Sequence, residues 1–188
     1  MTRAQTSVEI NNLFAERRSP RSLDELAVAS PEDLIAMLEA ARWAPSAFNH
    51  QPWRFIAGRR GDAEFNELLS YLGEFNQAWA KRASLLIAVA GVPTTPDGKD
   101  NPTYLYDCGL SVAQLTLEAH HRGFVAHQMA GFDHEKAAQN FAGALPIAVI
   151  AIGKQAPAEQ LEGMMLEREK APRSRNELSE IVVKGLPN

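Results

Sequence analysis

A single cysteine, Cys108, in 188 residues excludes an intrachain disulfide and any cysteine-rich metal site. It lies in an apolar helical pattern, where a small buried hydrophobe is expected rather than a nucleophile. Long hydrophobic runs are missing too: none approaches the ~20 residues of a membrane span. The N-terminal Met-Thr-Arg-Ala-Gln-Thr has no apolar core of a secretion signal. A cytoplasmic protein without membrane contact is expected. The net charge of −4 gives nucleic-acid binding no electrostatic support beyond local patches. There is no Gly-x-Gly-x-x-Gly and no Gly-x-x-x-x-Gly-Lys, so neither a dinucleotide fingerprint nor a phosphate-binding loop of that kind is present. Gly109-Leu110-Ser111-Val112-Ala113 lacks the second glycine of a nucleophile elbow and sits inside a helical pattern, so Ser111 reads as structural. His120 and His121 diverge around a helix, and no acidic or cysteine ligand joins them and His127, so no metal is expected.

What is present is an ordinary globular balance, 45% apolar and 22% charged, enough for one domain over residues 1–188. Residues 7–16 read as a helix with Ile10, Leu13 and Phe14 on one face. Ser30-Pro31-Glu32-Asp33 is a helix start, followed by the stripe Leu34, Met37, Leu38, Ala41. Trp53–Ala57 reads as a strand. Asp62 is placed to cap a helix through Leu72, and a further helical piece lies around Glu74–Arg82. Leu85–Ala90 and Leu145–Ile152 are continuous apolar runs, as expected of strands buried on both faces. Between them come a polar loop (Pro93–Pro102), a long helix (Tyr104–His121), a short strand (Phe124–Ala126) and an Asp133-capped helix. Ile181-Val182-Val183 is placed to add a strand to its own sheet or to a partner's. By pattern alone this is a three-layer α/β domain.

Two stretches stand out. Arg17-Arg18-Ser19-Pro20-Arg21 puts three guanidiniums, a hydroxyl and a rigid ring within five residues, matched to the oxygens of a phosphate. A solvated basic turn would account for the charge alone. Arg42–Phe55 is a turn bracketed by Pro45 and Pro52. It carries Ser46, Asn49, His50 and Gln51 together with Trp43, Phe48 and Trp53, aromatics that are costly to expose unless a core or a flat ligand covers them.

Together these stretches resemble the FMN-dependent nitroreductase family, which has Arg-Arg-Ser-x-Arg after its first helix and Pro-Ser-x-x-Asn-x-Gln-Pro-Trp after its second. The resemblance implies an α+β, three-layer fold with a central mixed β-sheet flanked by helices. It also implies an intertwined homodimer, with the tail from about 172 to 188 extending onto the partner subunit. FMN would lie at the subunit interface. Arg17 and Ser19, with Arg18 alongside, would meet its phosphate and ribityl end, and Arg21 its pyrimidine edge. Pro45, Ser46, Asn49 and Gln51 would come from the partner's turn. In Gln128–Phe132, Ala130 and Gly131 would bring backbone N–H groups toward N5. Asn76 would reach the pyrimidine edge, and Arg173 and Arg175 would return to the phosphate. Trp79 stands where some relatives have a lysine, Asn176-Glu177-Leu178 replaces their Lys-Pro-Leu, and Gly153-Lys154 replaces a glycine followed by an aromatic.

The implied activity is FMN-dependent transfer from NADH or NADPH to nitroaromatic, quinone or similar flat acceptors, with the flavin carrying the chemistry and no catalytic side chain. The Phe65–Arg82 region and the Pro93–Tyr104 loop are candidates for a substrate lid. Reductive dehalogenation, flavin destruction and flavin binding without turnover are the alternatives; a flavin-free homodimer would require the arginine cluster to be incidental.

Overall fold

The structure, a computed structural model, describes residues 3–187; Met1, Thr2 and Asn188, the extreme ends of the N-terminal stretch and of the tail, lie outside it. The first helix is shorter than its apolar pattern suggests. α1 covers Asn12–Glu16, because the Asn11 side chain accepts the Leu13 N–H at 2.9 Å and starts the helix there. α2 (Pro31–Arg42) begins as expected, with Ser30 and Asp33 exchanging side chain-to-backbone hydrogen bonds and Pro31 in the first turn. There follow β1 (Trp53–Arg59), α3 (Ala63–Tyr71), α4 (Glu74–Ala80), β2 (Leu85–Gly91), α5 (Tyr104–His121) and β3 (Val125–Met129). The chain continues through α6 (His134–Ala138), β4 (Leu145–Gly153), α7 (Gly163–Lys170) and α8 (Leu178–Ile181).

The strands form one sheet in the order β1-β2-β4-β3, and all three pairings are antiparallel. The mixed sheet expected from the sequence is therefore not found within one chain. β2 and β3 do run the same way, as a strand–helix–strand crossover through α5 demands, but β4 inserts between them and removes the parallel pairing. With segregated helices and an antiparallel sheet, the fold is α+β.

Residues of β2 alternate between two cores, one on each face. Leu86, Ala88 and Ala90 pack with Phe65, Leu68 and Tyr71 of α3, Trp79 of α4 and Ala137 of α6. Leu85 and Ile87 pack with Met37 and Ala41 of α2 and Leu115 and Ala119 of α5. The small residues of β2 face the large aromatics, so the layers interlock without excess volume. The Ser111 hydroxyl donates to the Ala41 carbonyl at 2.8 Å, joining α5 to α2, which is the structural role read from its position. Cys108 is buried, and burial followed by the charge of Asp107 pushes its thiol up to about 12.

β3 runs past Ala126 to Met129 because the polar residues there find partners: His127 at the Pro20 carbonyl and Gln128 at the Thr116 hydroxyl. The Pro93–Pro102 loop closes on itself through the Thr94–Asp100 bridge and the Thr95 hydroxyl, which accepts the Lys99 N–H. In the tail, Ile181 ends α8 and Val183 stands 98% exposed, so this run adds no strand to its own sheet. Among the described residues no helix is long and apolar enough to cross a membrane.

Candidate functional site

The arginine run leaves α1 at Arg17 in an extended conformation. Three contacts hold it against β3 and α7. The His127 ring Nδ1 meets the Pro20 carbonyl at 3.2 Å; Arg18 donates to the Glu169 carbonyl at 2.8 Å; and the Arg21 N–H donates to the Glu169 carboxylate at 2.8 Å. Burial, then the charge of Arg21, lowers the His127 pKa to about 4, so the ring is neutral at pH 7 and can donate Nδ1–H to that carbonyl. Its other face lies on Trp79, with centroids 4.8 Å apart. The run is thus seated on the half-buried His127, which packs against the fully buried Trp79.

The tail returns to the same place. Arg173 donates to the carbonyls of Ala15 at 2.7 Å and Arg17 at 2.9 Å, clamping the end of α1. Arg17 donates to the Ser19 hydroxyl at 3.2 Å. Burial, followed by the charges of Arg173 and Arg175, lowers the Arg17 pKa, and Arg173 is lowered by burial, Arg175 and Arg18. Among the described residues, no ion pair includes Arg17, Arg18, Arg21 or Arg175. The guanidiniums of Arg17, Arg18, Arg173 and Arg175 lie close enough to repel one another, a repulsion that a dianion would relieve. Beside them a groove is lined by Phe14, Arg17, Ser19, Thr116, Leu117 and Gln128.

A second depression lies around Asn76 and Gly131. The Asn76 side-chain amide donates to the Gly131 carbonyl at 3.3 Å, while the Leu72–Phe132 bridge and the Asp133 N–H to the Tyr71 carbonyl (2.8 Å) tie the Ala130–Phe132 segment to the α3–α4 corner. A Cβ at Gly131 would meet only the Asn76 amide nitrogen, at 3.5 Å, an ordinary contact. Neither a positive φ nor a close contact within the described residues requires glycine here.

The proline-bracketed turn contains a short 3-10 helix over Ala47–Asn49. Phe48, Asn49 and Gln51 have φ of 50°, 56° and 48°, an arrangement usually left to glycine. It is held by Ser46, whose hydroxyl accepts the Gln51 N–H at 3.1 Å, and by the buried Asp107 carboxylate, which accepts the Ala47 N–H at 3.3 Å. Such strain persists where its surroundings enforce it, and it gathers at binding sites. Phe48 is 93% exposed.

The structure brings together Arg17, Arg18, Ser19, Arg21, Arg173 and Arg175, with Asn76, Ala130 and Gly131 at the adjoining corner. It does not bring Pro45, Ser46, Asn49 or Gln51 to them. That turn feeds β1, whereas the run lies on β3, and the two strands are opposite edges of the sheet, three strand spacings or about 14 Å apart. Glu169 escaped the sequence reading, which weighed His127 only as a metal ligand and took in Phe75 only as part of the Phe65–Arg82 lid candidate. Glu169 is separated from Arg21 by 148 residues, and nothing local marks its carboxylate as buried. His127 carries a signal only once the register of β3 is known.

Known proteins with this arrangement can now be considered. A family model described as the nitroreductase family matches residues 14–74, which contain both the arginine run and the turn. A solved structure described as an oxidoreductase containing FMN is 32% identical, with 96% of this chain and 94% of that chain covered and a TM-score of 0.89. The chain belongs to the nitroreductase family. An uncharacterised Mycolicibacterium smegmatis protein is 37% identical over 145 residues, 70% of this chain and 95% of that protein. The major NAD(P)H–flavin oxidoreductase of Aliivibrio fischeri is 28% identical over 144 residues, 73% of this nitroreductase and 63% of that protein.

Proposed function

We propose that this nitroreductase is a homodimeric FMN enzyme that takes electrons from NADH or NADPH and delivers them to nitroaromatics, quinones or similar flat acceptors. The observation that carries the reading is the convergence of Arg17, Arg18, Arg173 and Arg175, with no carboxylate among the described residues ion-paired to Arg17, Arg18 or Arg175. The residues fit the cofactor in three respects. The cation cluster suits a phosphate of about two negative charges. The buried Arg21 Nε has no hydrogen-bond partner among the described residues. Gly131 leaves open the space a ring edge would need.

Bound there, the flavin supplies two-electron acceptance and donation, which no side chain of this protein can supply. The protein's part is placement. Arg17, Ser19 and Arg175 would hold the phosphate end, and Arg173 would keep the run in position through the Ala15 and Arg17 carbonyls. Arg21 would hold positive charge at the pyrimidine edge, favouring a reduced, anionic ring. Asn76 would join Arg21 at the pyrimidine edge, and the Ala130–Gly131 backbone would approach N5.

The second subunit enters because one chain holds the turn on the far edge of its sheet. A two-fold partner would bring Pro45, Ser46, Asn49 and Gln51 to the arginine run, its tail reaching across from about residue 172. Phe14, Trp43, Phe48, Tyr106 and Val183 are exposed in the single chain and would be covered by such an exchange. The buried lone cysteine suits the reducing cytoplasm. Steady-state rates measured with both substrates varied, NADH or NADPH against a nitroaromatic or a quinone, test the reading. Parallel double-reciprocal lines are expected; intersecting lines, or no turnover by a dimer that has retained flavin, would overturn it.

A further inference from the structure

Phe75, in the first turn of α4, lies between two cations. The Arg21 guanidinium is 6.0 Å from its ring centroid and the Arg168 guanidinium 5.6 Å. Arg168 comes from α7 and is exposed; among the described residues it makes no hydrogen bond and no ion pair. Arg21 buries its Nε without a partner. The nearest acid, Glu169, does not cancel the pair. One of its oxygens is spent on the Arg21 N–H and the other is buried without a partner. After burial, the repulsion from Arg168 is the largest influence lowering the Arg21 pKa, and it outweighs the opposing effect of Glu169.

Two guanidiniums on one ring repel each other, and a cation–π contact at an exposed site contributes only ~0.5–1 kcal/mol. The arrangement makes physical sense if an anion completes it. Phe75 also borders the depression that contains Asn76, Gly131 and Phe132, so the pair stands at the mouth of the site and not on a remote face.

We propose that Arg168, set with Arg21 around Phe75, is a subsite for the carboxylate or phosphate group of a reacting substrate lying against the flavin whose pyrimidine edge Arg21 would meet, so that the enzyme selects charged over neutral partners. This rests on the depression being the substrate's approach to the flavin. The anion has two possible sources, the phosphates of the nicotinamide donor or an acid group on the acceptor, and both offer the same oxygens to a planar donor fork.

Calorimetric titration of the flavin-loaded protein with pyrophosphate and with benzoate, repeated on Arg168→Gln and Arg168→Lys, tests it. Arg168 is exposed, so neither variant threatens the fold. Arg168→Gln is expected to weaken at least one anion about 10-fold or more, the magnitude of a lost charge-assisted hydrogen bond, with Arg168→Lys recovering part of the loss. Loss confined to pyrophosphate assigns the subsite to the donor, and loss confined to benzoate assigns it to the acceptor. Wild-type protein that binds neither anion, or affinities for both within twofold of wild type in Arg168→Gln, would overturn the proposal. So would a variant that loses only flavin. Absorbance of bound flavin is read separately: protein that never holds FMN yet loses benzoate on substitution would refute the cofactor reading and leave the anion subsite standing.

Discussion

His127 makes the seating of the arginine run measurable as a dependence of stability on pH. Its pKa is lowered from 6.5 to about 4 by burial first and Arg21 second. As pH falls, the unfolded chain takes up this proton before the folded one does, so the native state is penalised. The stabilising difference is whole above pH 6.5, is lost progressively between 6.5 and about 4, and changes no further below that. At roughly 1.4 kcal/mol per pH unit the full loss is about 3 kcal/mol. His127→Gln removes the titration and keeps an amide that can donate to the Pro20 carbonyl. Urea unfolding of both proteins at several pH values between 4 and 8 gives the difference directly, because all other titrating groups are shared. The wild type is expected to lose about 3 kcal/mol more than the variant across the window. Parallel profiles would refute the buried, neutral ring and with it the account of how the run is held.

Three further substitutions separate fold from site. Arg17→Ala removes a partly buried phosphate contact and should weaken FMN by roughly 10- to 150-fold, about 1.5–3 kcal/mol, in a fluorescence titration; unchanged retention after dialysis would remove Arg17 from the site. Gly131→Ala adds a methyl that the chain itself accommodates, at 3.5 Å from the Asn76 amide. Its melting temperature should stay within a few degrees of wild type while flavin affinity falls; equal flavin affinity would refute close approach there. Gly58→Ala is the converse: a Cβ on β1 would sit 2.1 Å from the Phe65 nitrogen of α3. That backbone clash should cost about 3 kcal/mol or more, roughly 6–12 °C in thermal unfolding, and a variant as stable as wild type would contradict the packing of α3 on β1.

How much of this could be read from the sequence depended on whether the signal was local. Ser30-Pro31-Glu32-Asp33 announced α2 because a capping box is made within four residues. The arginine run and the proline-bracketed turn were legible from residue type and spacing. What escaped was set by distant pairing. β4 inserts between β2 and β3, which turned an expected mixed sheet antiparallel. Trp79, noted as a departure from the lysine of some relatives, proved to be fully buried, with the His127 ring against it, so that aromatic packing supports the run at this position. Arg173, expected at a phosphate, spends two donors on the backbone at the end of α1, a contact that its neighbours in sequence do not disclose. Asn11 shortened the first helix because its capping hydrogen bond competes with continuing the turn upstream.

The most direct test of the central claim is the visible absorption spectrum of freshly purified protein, taken before and after anaerobic addition of NADH and of NADPH. The account predicts a flavin spectrum that bleaches with at least one donor and returns on adding a nitroaromatic or a quinone. A colourless protein that also fails to take up added FMN, or bound flavin that neither donor bleaches, would contradict it.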